Sequence, residues 1–477
     1  MTAVDQPASR LLAGFAAAAR FEDLPPTVVA DTRRAVLDWL GSALAGALEP
    51  PARMAQRVVA TLGRSGEATV FAAGRAAAAN AALANGVASH ILELDDVHKG
   101  STLHAAAPVI PAALAVAERE HRDGRAFLLA VALGYEAALR IGEAVNPSHY
   151  RFWHPTGTAA TFGAAVAAGS LLGLDEAAML DALGTAGTQA AGLWEFNADG
   201  AMSKHLHPGK AAFNGVLAAD LAREGFTGAT RILEGARGFF RATATDADPS
   251  RITDGLGTVW KVSENCYKLH SCCGHTHSAI DMALDYRASG AWRGQEEVAA
   301  VEVRTYGPGY EIVREANPRT PYQAKFSMTY CVAAAVAEGR VGLEQFGAER
   351  FSEAGVTDVR IRSLLERIHV TVDPDLSARY PAEWGTRIRF TSRAGDDVEL
   401  SAAFPRGNPE NPVSTPLLED KLRGLVGPRL GGAVADRAVR AINELERCPD
   451  MATAFADLAP AVAGAPRTAP SPSLTKR

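Results

Sequence analysis

Apolar residues recur at every third or fourth position through most of the first half of the chain. In RAFLLAVALGYEAALRIGEAV, Leu128, Val131 and Tyr135 fall on one face at such steps, which predicts an amphipathic helix. The strand-like alternation of apolar and polar residues is scarce before residue 250. The first half is therefore predicted to be all-helical, and similar spacing predicts helices over Pro26–Ala45, Ala105–Glu118, Thr158–Leu172 and Gly209–Arg223.

The spacing of apolar residues becomes strand-like after residue 290 and helical again after residue 410. Val301, Val303 and Thr305 alternate with charged neighbours, and TRIRFTSRAGDDVELSAAF predicts two strands around a turn at Gly395–Asp396. Helical spacing returns in the segments Pro416–Leu425 and Val434–Leu445. We therefore predict a mainly α protein, with a large discontinuous all-helical domain and a smaller α/β domain.

The predicted domain boundaries follow from these changes. Residues 1–266 form the first part of the helical domain, 267–403 the α/β domain, and 404–460 the return to the helical domain. The tail, residues 461–477, is rich in Pro and Ser and is predicted to be disordered.

Net charge, the first residues and the cysteine count indicate which partners and which cellular location to expect. A net charge of -6 and a pI of about 6.1 give no electrostatic reason to expect nucleic acid or an anionic membrane. We expect no signal peptide, because the first residues lack a basic segment before an apolar core. The five cysteines are sparse and odd in number, which favours reduced thiols and a cytoplasmic location.

Eleven of the twelve histidines lie between His90 and His277, mostly in four groups. The first group, HILELDDVHKGSTLH, places Asp95 and Asp96 near His104, an arrangement that suits proton transfer or, equally, a solvated helix end. In the second group, RFWHPTGT, Pro155 predicts a helix start that would keep His154 neutral, although a packing role is also consistent with the sequence.

The third and fourth groups add cations and thiols. AMSKHLHPGKAAFNG carries Lys204 and His207 before a predicted helix, which indicates either a carboxylate-binding corner or a solvated basic turn. KLHSCCGHTH, residues 268–277, permits a metal site, a disulfide or proton transfer. Its cysteines and histidines are too close together to supply four zinc ligands easily, and its adjacent cysteines are poorly placed to bridge one another.

Together the four groups resemble the MmgE/PrpD family, which includes 2-methylcitrate dehydratases, cis-aconitate decarboxylases and iminodisuccinate epimerases. The resemblance extends from about Leu11 to Arg447. It is carried by the following segments, in this order: HILELDDVH, LHAAAPVIPAALAVAE, WHPTGTAATFGAAVAAGSLLGL, SKHLHPGKAAFNG, GFTGATRILEG, HTHSAID, NPRTPYQAKFSMTYCVAAA and PRGNPENPVS.

The resemblance implies a helical domain with an α/β lid, a homodimer, and an active site in a cleft between the domains. It implies a small polycarboxylate substrate, no metal and no organic cofactor. The leading expectation is a hydro-lyase that dehydrates a hydroxy-polycarboxylate similar to 2-methylcitrate, through proton abstraction alpha to a carboxylate. The alternatives are an epimerase or a decarboxylase with a carbanion-like intermediate, a non-catalytic binding protein on the same fold, and a zinc-dependent protein.

Carried over by motif, the site divides into two sets of residues. The expected catalytic residues are Asp95, Asp96, His104, His154, Lys204 and Tyr330. The expected substrate-binding residues are Glu93, Lys268, Cys273, His275, His277 and His207. Two positions depart from the family: Glu93 stands where Asp is common, and Cys273 stands where the decarboxylase branch has a catalytic histidine. The second departure weakens the case for cis-aconitate decarboxylation.

Overall fold

The computed structural model describes residues 7–63, 65–456 and 458, and the chain divides into two compact units. The first unit comprises the described residues of Met1–Ile91, Asp95–Asn265 and Ser414–Pro470. The second unit comprises Leu92–Leu94 and Cys266–Val413. The predicted disordered tail, residues 461–477, lies outside the described residues, and the predicted domain boundaries stay predictions.

The first unit is a helical assembly with one small hairpin. Its strands β1 and β2 span Ala68–Val70 and Gly74–Ala76 and pair antiparallel. Its helices are α1 Ala8–Ala18, α2 Pro26–Gly46, α3 Pro50–Val59, α4 Ala78–His90, α5 Ala106–Arg119, α6 Gly124–Val145, α7 Ala159–Leu172, α8 Glu176–Gly187, α9 Phe196–Asp199, α10 Ser203–Arg223, α11 Phe239–Thr243 and α12 Ser250–Thr253, and after the second unit α19 Thr415–Leu430, α20 Gly432–Asn443 and α21 Met451–Ala454.

Small residues let the central helices of this unit approach closely. A Cβ added to Gly86 in α4 would lie 2.7 Å from the Cα of Gly209 in α10, and one added to Gly163 in α7 would lie 2.5 Å from the carbonyl oxygen of Gly134 in α6. Such backbone contact leaves no room for a side chain at these positions. The helices that carry the histidines are therefore held at fixed spacing.

The return of the chain to the first unit is fixed by a buried ion pair. Lys421 in α19 places its Nζ 2.6 Å from Oδ1 of Asp38 in α2, and the Asp38 side chain is fully buried. Removing either partner would leave a buried charge without its counter-ion. The two ends of the chain thus complete one helical core.

The second unit is built on a four-stranded mixed sheet with strand order β6–β3–β7–β8. Strand β3 pairs parallel with β6 and antiparallel with β7, so that Val303 lies opposite both Val370 and Ile388. The strands are β3 Val298–Thr305, β4 Phe351–Ser352, β5 Gly355–Val356, β6 Ile368–Val372, β7 Thr386–Ser392 and β8 Asp397–Ala402, and the helices are α13 His277–Ala288, α14 Gly307–Val313, α15 Pro321–Lys325, α16 Met328–Glu338, α17 Val359–Leu365 and α18 Pro374–Arg379.

The predicted fold class is confirmed: the protein is mainly α with a smaller α/β part. The predicted start of α10 was wrong, and Pro155 lies outside the first turn of α7, although the predicted helix Thr158–Leu172 matches α7 to one residue. Helix α10 begins at Ser203, so Pro208 lies inside it, and Pro155 lies in a turn before α7 begins at Ala159. Pro208 omits one backbone hydrogen bond of α10, and the packing of this helix against α4 and α7 offsets that loss.

Among the described residues, no helix has both the length and the apolar character that crossing a lipid bilayer requires.

Candidate functional site

Five histidines of the first unit converge in one place, which we call the histidine centre: His90, His104, His154, His205 and His207. His90 is the last residue of α4, and His205 and His207 lie near the start of α10. The centroid of the His90 ring lies 4.8 Å from that of His104 and 5.6 Å from that of His154. The close contact of α4 with α10 is what brings distant histidines together.

Asp95 orients His90. Oδ2 of Asp95 lies 2.6 Å from Nδ1 of His90, and both side chains are fully buried. Because a carboxylate accepts the bond, Nδ1 of His90 carries a proton, and whenever the ring is neutral its Nε2 holds the lone pair. Nε2 is buried and has no hydrogen-bond partner among the described residues. His90 therefore offers a buried basic nitrogen whose orientation the carboxylate fixes.

His104 is held by the backbone of the same loop. Its Nδ1 lies 2.5 Å from the carbonyl oxygen of Asp96 and 3.6 Å from the Asp95 carboxylate, and its backbone N–H donates to Thr156. Since a carbonyl only accepts, Nδ1 of His104 is the donor and Nε2 is the basic nitrogen. Asp95 thus faces the donor nitrogens of two histidines.

Asp96 is occupied by structural hydrogen bonds. Its Oδ2 accepts from the hydroxyl of Tyr135 at 2.6 Å, and its Oδ1 accepts from the backbone N–H of Ala106 at the start of α5. Burial raises the pKa of Asp96 to about 7, with the neighbouring Asp95 adding to the rise and the Tyr135 bond opposing it. These contacts favour a role in holding the loop and do not add a base to the centre.

His154 and His207 share a hydrogen bond between identical atoms. Their Nδ1 atoms lie 3.0 Å apart, so one ring must donate and the other accept. His154 is 1% exposed, whereas His207 is partly exposed. Burial holds the pKa of His154 well below its usual range, with His207, His90, Lys204 and His104 adding to the effect. Burial together with His90, Lys204 and Lys210 lowers the pKa of His207 to about 4.

Lys204 places a positive charge beside the histidines. It lies in the first turn of α10, its side chain is 2% exposed, and its charge lowers the pKa of both His154 and His207. The rings of Trp194 and Phe196 pack edge-on against His154 at 5.1 and 5.7 Å. A buried ammonium at a helix N-terminus favours an anion, and the aromatic wall limits water.

The loop between Asp95 and His104 is anchored by a charged network. Nε2 of His98 lies 3.2 Å from Glu264, and Nζ of Lys261 lies 3.0 Å from Glu264 and 3.1 Å from Glu143. Nδ1 of His98 contacts the Ser101 hydroxyl at 2.9 Å. This network fixes the loop that presents Asp95 and His104 to the centre.

Two groups of side chains in the first unit have a spacing that could hold a metal ion, and a lysine lies beside each group. One ligand atom from each of His90, His104 and His154 lies within 4.8 Å of the others, and His98, Glu143 and Glu264 form a second such group. Imidazole nitrogens on one zinc ion lie about 3.4 Å apart, given Zn–N bonds of about 2.1 Å. The charge of Lys204 beside the first group and of Lys261 beside the second opposes a further cation.

The stretch KLHSCCGHTH lies in the second unit and forms a buried turn before α13. His270 places Nε2 3.0 Å from Asp281, and its ring lies 5.0 Å from that of His277. Sγ of Cys272 lies 3.1 Å from the hydroxyl of Thr276. All five cysteines of the chain are free thiols, as predicted.

Two buried polar contacts of the second unit involve residues expected to bind substrate. Lys268 lies 3.5 Å from Glu93, and both side chains are buried. His275 places Nδ1 2.5 Å from the Tyr306 hydroxyl and packs its ring 4.5 Å from Trp384. Burial, with the charge of Lys268, lowers the pKa of His275 to about 3, so this ring is neutral at physiological pH.

Tyr330 lies in the hydrophobic core of the second unit. It is 0% exposed, and its hydroxyl donates to the carbonyl oxygen of Gln345. Burial raises the pKa of this phenol above its ordinary value. A side chain so placed packs the core. Its hydroxyl proton is held by a backbone carbonyl, so we do not propose that it is donated to a leaving hydroxyl.

The expected site residues thus fall into two groups. The structure brings Asp95, His104, His154, Lys204 and His207 together in the first unit, with Asp96 behind them. Glu93, Lys268, Cys273, His275 and His277 lie in the second unit. Sequence reasoning did not select His90, His205 or Tyr135. His90 and His205 each stand in a histidine-rich group, and this grouping was the signal that could have identified them.

Comparisons with known proteins give two matching family models and several similar relatives. The family model described as MmgE/PrpD N-terminal domain matches residues 10–252, and the model described as MmgE/PrpD C-terminal domain matches residues 270–447. The chain is 27% identical to "Cis-aconitate decarboxylase-like protein oryM" of Aspergillus oryzae over 91% of this chain and 93% of that protein. It is 26% identical to the human "Cis-aconitate decarboxylase" over 90% and 89%, and 32% identical to that of Aspergillus terreus over 54% and 56%.

Proposed function

Since this chain belongs to the MmgE/PrpD family, we propose that it is a lyase acting on a small polycarboxylate through a carbanion-like centre next to a carboxylate. The single observation that carries the proposal is the histidine centre, where two imidazoles of lowered pKa, His154 and His207, lie beside a buried lysine. Breaking a bond at such a carbon requires a group that moves a proton and a cation that absorbs developing charge. The centre supplies both in one buried place.

Lys204 is proposed to hold a substrate carboxylate. Its ammonium is buried in the first turn of α10, where the helix dipole also favours an anion. Charge that develops on the substrate near this ammonium is stabilised strongly, because water is excluded. The same charge lowers the pKa values of His154 and His207.

Binding of substrate is proposed to switch on the base. Burial, together with Lys204 and the neighbouring histidines, holds the pKa of His154 well below its usual range. Carboxylates placed beside the ring compensate for these cations and favour the imidazolium, so the pKa of His154 rises towards neutrality. His154, and His104 with Nδ1 bound to the Asp96 carbonyl, are the proposed proton carriers.

The finer proposal is dehydration of a hydroxy-polycarboxylate similar to 2-methylcitrate. A histidine removes the proton alpha to a carboxylate, the electron pair forms the carbon–carbon double bond, and the beta hydroxyl leaves as water after accepting a proton. Several imidazoles within one centre allow one nitrogen to take a proton while another gives one. None of these steps requires a metal.

A second candidate is decarboxylation, which the names of the relatives favour. In that reaction the carbon–carbon bond to the carboxylate breaks, CO₂ leaves, and a histidine protonates the carbanion. The same residues serve both reactions, because each passes through negative charge next to a carboxylate that Lys204 holds.

The test is proton NMR of the chelator-treated protein in D₂O with 2-methylcitrate, citrate, cis-aconitate and iminodisuccinate. Loss of water from a hydroxy acid supports dehydration, and loss of CO₂ from cis-aconitate supports decarboxylation. Deuterium at an alpha carbon without elimination indicates an epimerase. Lys204→Met keeps an unbranched side chain that is one atom shorter and removes its charge. It should lower kcat/KM about a hundredfold or more. No change in any of the four compounds would count against the proposed function.

A further inference from the structure

The Nδ1–Nδ1 hydrogen bond couples the protonation of two histidines. A proton on Nδ1 of a neutral imidazole leaves Nε2 with the lone pair, and a proton on Nε2 leaves Nδ1 with it. The 3.0 Å contact needs one donor and one acceptor, so His154 and His207 cannot both carry a proton on Nδ1. With the shared proton on Nδ1 of His154, a neutral His154 ring is a base at Nε2. With that proton on Nδ1 of His207, a neutral His154 ring carries its own proton on Nε2 and is an acid there.

We propose that His207 is the relay partner of His154: it exchanges a proton with His154 across their Nδ1–Nδ1 hydrogen bond and so sets whether His154 acts as a base or an acid. The inference rests on the proposed function. It assigns to His207 a role different from the substrate binding that the sequence suggests.

Each step of the relay balances. When Nε2 of His154 takes the substrate proton, the electron pair of the C–H bond stays on carbon. The Nδ1–H bond of His154 then breaks as the Nδ1–H bond of His207 forms, and His207 releases its Nε2 proton to water. Both rings are neutral again, and His154 now carries an acidic Nε2–H for the leaving hydroxyl. Donation of that proton and the reverse transfers restore the first state.

The geometry fixes His207 for this exchange. A Cβ added to Gly157 would lie 3.1 Å from Cβ of His207, and one added to Gly192 would lie 3.3 Å from its Nδ1, so the backbone at both glycines lies against the His207 side chain. The Phe196 ring packs 5.4 Å away, edge to face. Partial exposure gives His207 access to water, which the buried His154 lacks.

The surrounding charges favour passage of the proton over its retention. The groups that face the pair are His90 from α4, His104 from the loop before α5, and Lys204 and Lys210 from α10. Each of these, when charged, is a cation, and they disfavour a lasting positive charge on either ring. A proton that reaches His207 is therefore released quickly to solvent.

The experiment compares two substitutions of His207. His207→Asn keeps an oxygen that can accept the Nδ1–H bond of His154 but cannot carry a proton, and His207→Ala removes both functions. Turnover is measured at pH 7 and constant ionic strength with increasing imidazole, using whichever substrate the wild type converts. His121→Ala, which removes an exposed histidine paired with Asp450, is the control.

A relay predicts that both variants lose about tenfold or more in kcat with little change in KM, because proton transfer limits turnover. Imidazole should restore kcat in His207→Ala and leave the wild type and His121→Ala unchanged. Full kcat in His207→Asn would show that His207 only orients His154. A raised KM with unchanged kcat would show that it binds substrate. Either result overturns the relay.

A second measurement does not depend on turnover. In protein labelled with ¹⁵N-histidine, the relay requires a through-hydrogen-bond coupling between the two Nδ1 atoms, and the coupling should vanish in His207→Ala. Its absence from the wild type overturns the relay even if a substrate is found. Its presence in a protein that converts no substrate leaves the shared proton intact and refutes only the proposed function.

Discussion

At the scale of single residues, the chemistry of the centre depends on which nitrogen of each ring carries a proton. Asp95 and the Asp96 carbonyl fix the donor nitrogen of His90 and of His104, and the acceptor that each ring then offers is Nε2. Orientation of an imidazole by a carboxylate also makes the ring more basic. The carboxylate of Asp95 therefore acts on the proposed reaction through the histidines.

Replacement of Asp95 by Asn should lower activity far more than stability. An amide can donate to Nδ1 of His90 and so favour the tautomer whose Nε2 is no longer basic. We expect Asp95→Asn to reduce kcat about 10²- to 10⁴-fold with a small shift in Tm. Steady-state kinetics and thermal unfolding check this. Asp248→Asn, which changes an exposed carboxylate of the same unit, is the control, and equal losses in both variants would contradict the prediction.

Asp96 should make the stability of the protein depend on pH. Its folded-state pKa of about 7 lies above the ordinary aspartate pKa of 3.8, because burial disfavours the carboxylate. The stability linked to its bound proton is complete below about pH 4 and is lost as pH rises through about 7, by roughly 4 kcal/mol in total. Asp96→Asn cannot ionise, so its free energy of unfolding should fall less between pH 5 and 8 than that of the wild type.

Urea unfolding at several pH values measures this difference. If the free energy of unfolding changed equally with pH in the wild type and in Asp96→Asn, Asp96 would not hold a proton in the folded state. The difference between the two proteins isolates Asp96, since the histidines with lowered pKa values are common to both.

At the scale of elements, the histidine centre depends on the contact between α4 and α10. Gly86 and Gly209 bring the two backbones together, and the ends of these helices carry His90, Lys204 and His207. A change in helix spacing therefore moves residues that are about a hundred positions apart in the chain. Packing and chemistry are linked here through two glycines.

Gly209→Ala should destabilise the protein and disturb the centre. The added Cβ would lie 2.6 Å from the carbonyl oxygen of Leu83 and from a methyl group of Val87, so α4 and α10 must separate. Overpacking of this kind costs about 1–3 kcal/mol. Gly424→Ala in α19, where a Cβ meets nothing within 4 Å, should be neutral or slightly stabilising. Chemical denaturation of both variants checks this, and equal stability of the two would contradict the assigned contact.

Sequence periodicity was enough to predict the long helices α2, α5, α6 and α7 and the strands around Gly395–Asp396, because a buried face imposes its spacing on the residues that line it. It failed at Pro208, where tertiary packing keeps a helix that local propensity would end. The histidine-rich groups likewise indicated the centre. The pairing of His154 with His207 was not predictable, because spacing along the chain does not show which ring nitrogens meet across 53 positions.

At the scale of the whole molecule, the proposed reaction should proceed without a metal. Exhaustive treatment with a chelator should leave turnover unchanged, and elemental analysis should find far less than one ion per chain. Loss of activity on chelation, with recovery on adding zinc, would contradict this prediction and would identify the histidine centre as a metal site. Protein treated with buffer alone is the matched control.

The ion pair between Lys421 and Asp38 has a consequence for how the protein is made. The two residues are 383 positions apart, so the ribosome releases α2 long before α19 exists. At roughly 5–20 residues per second, the delay is about 20–80 s. During that time the surface of α2 that α19 covers lacks this helix. The helical unit can therefore close only after α19 has been synthesised.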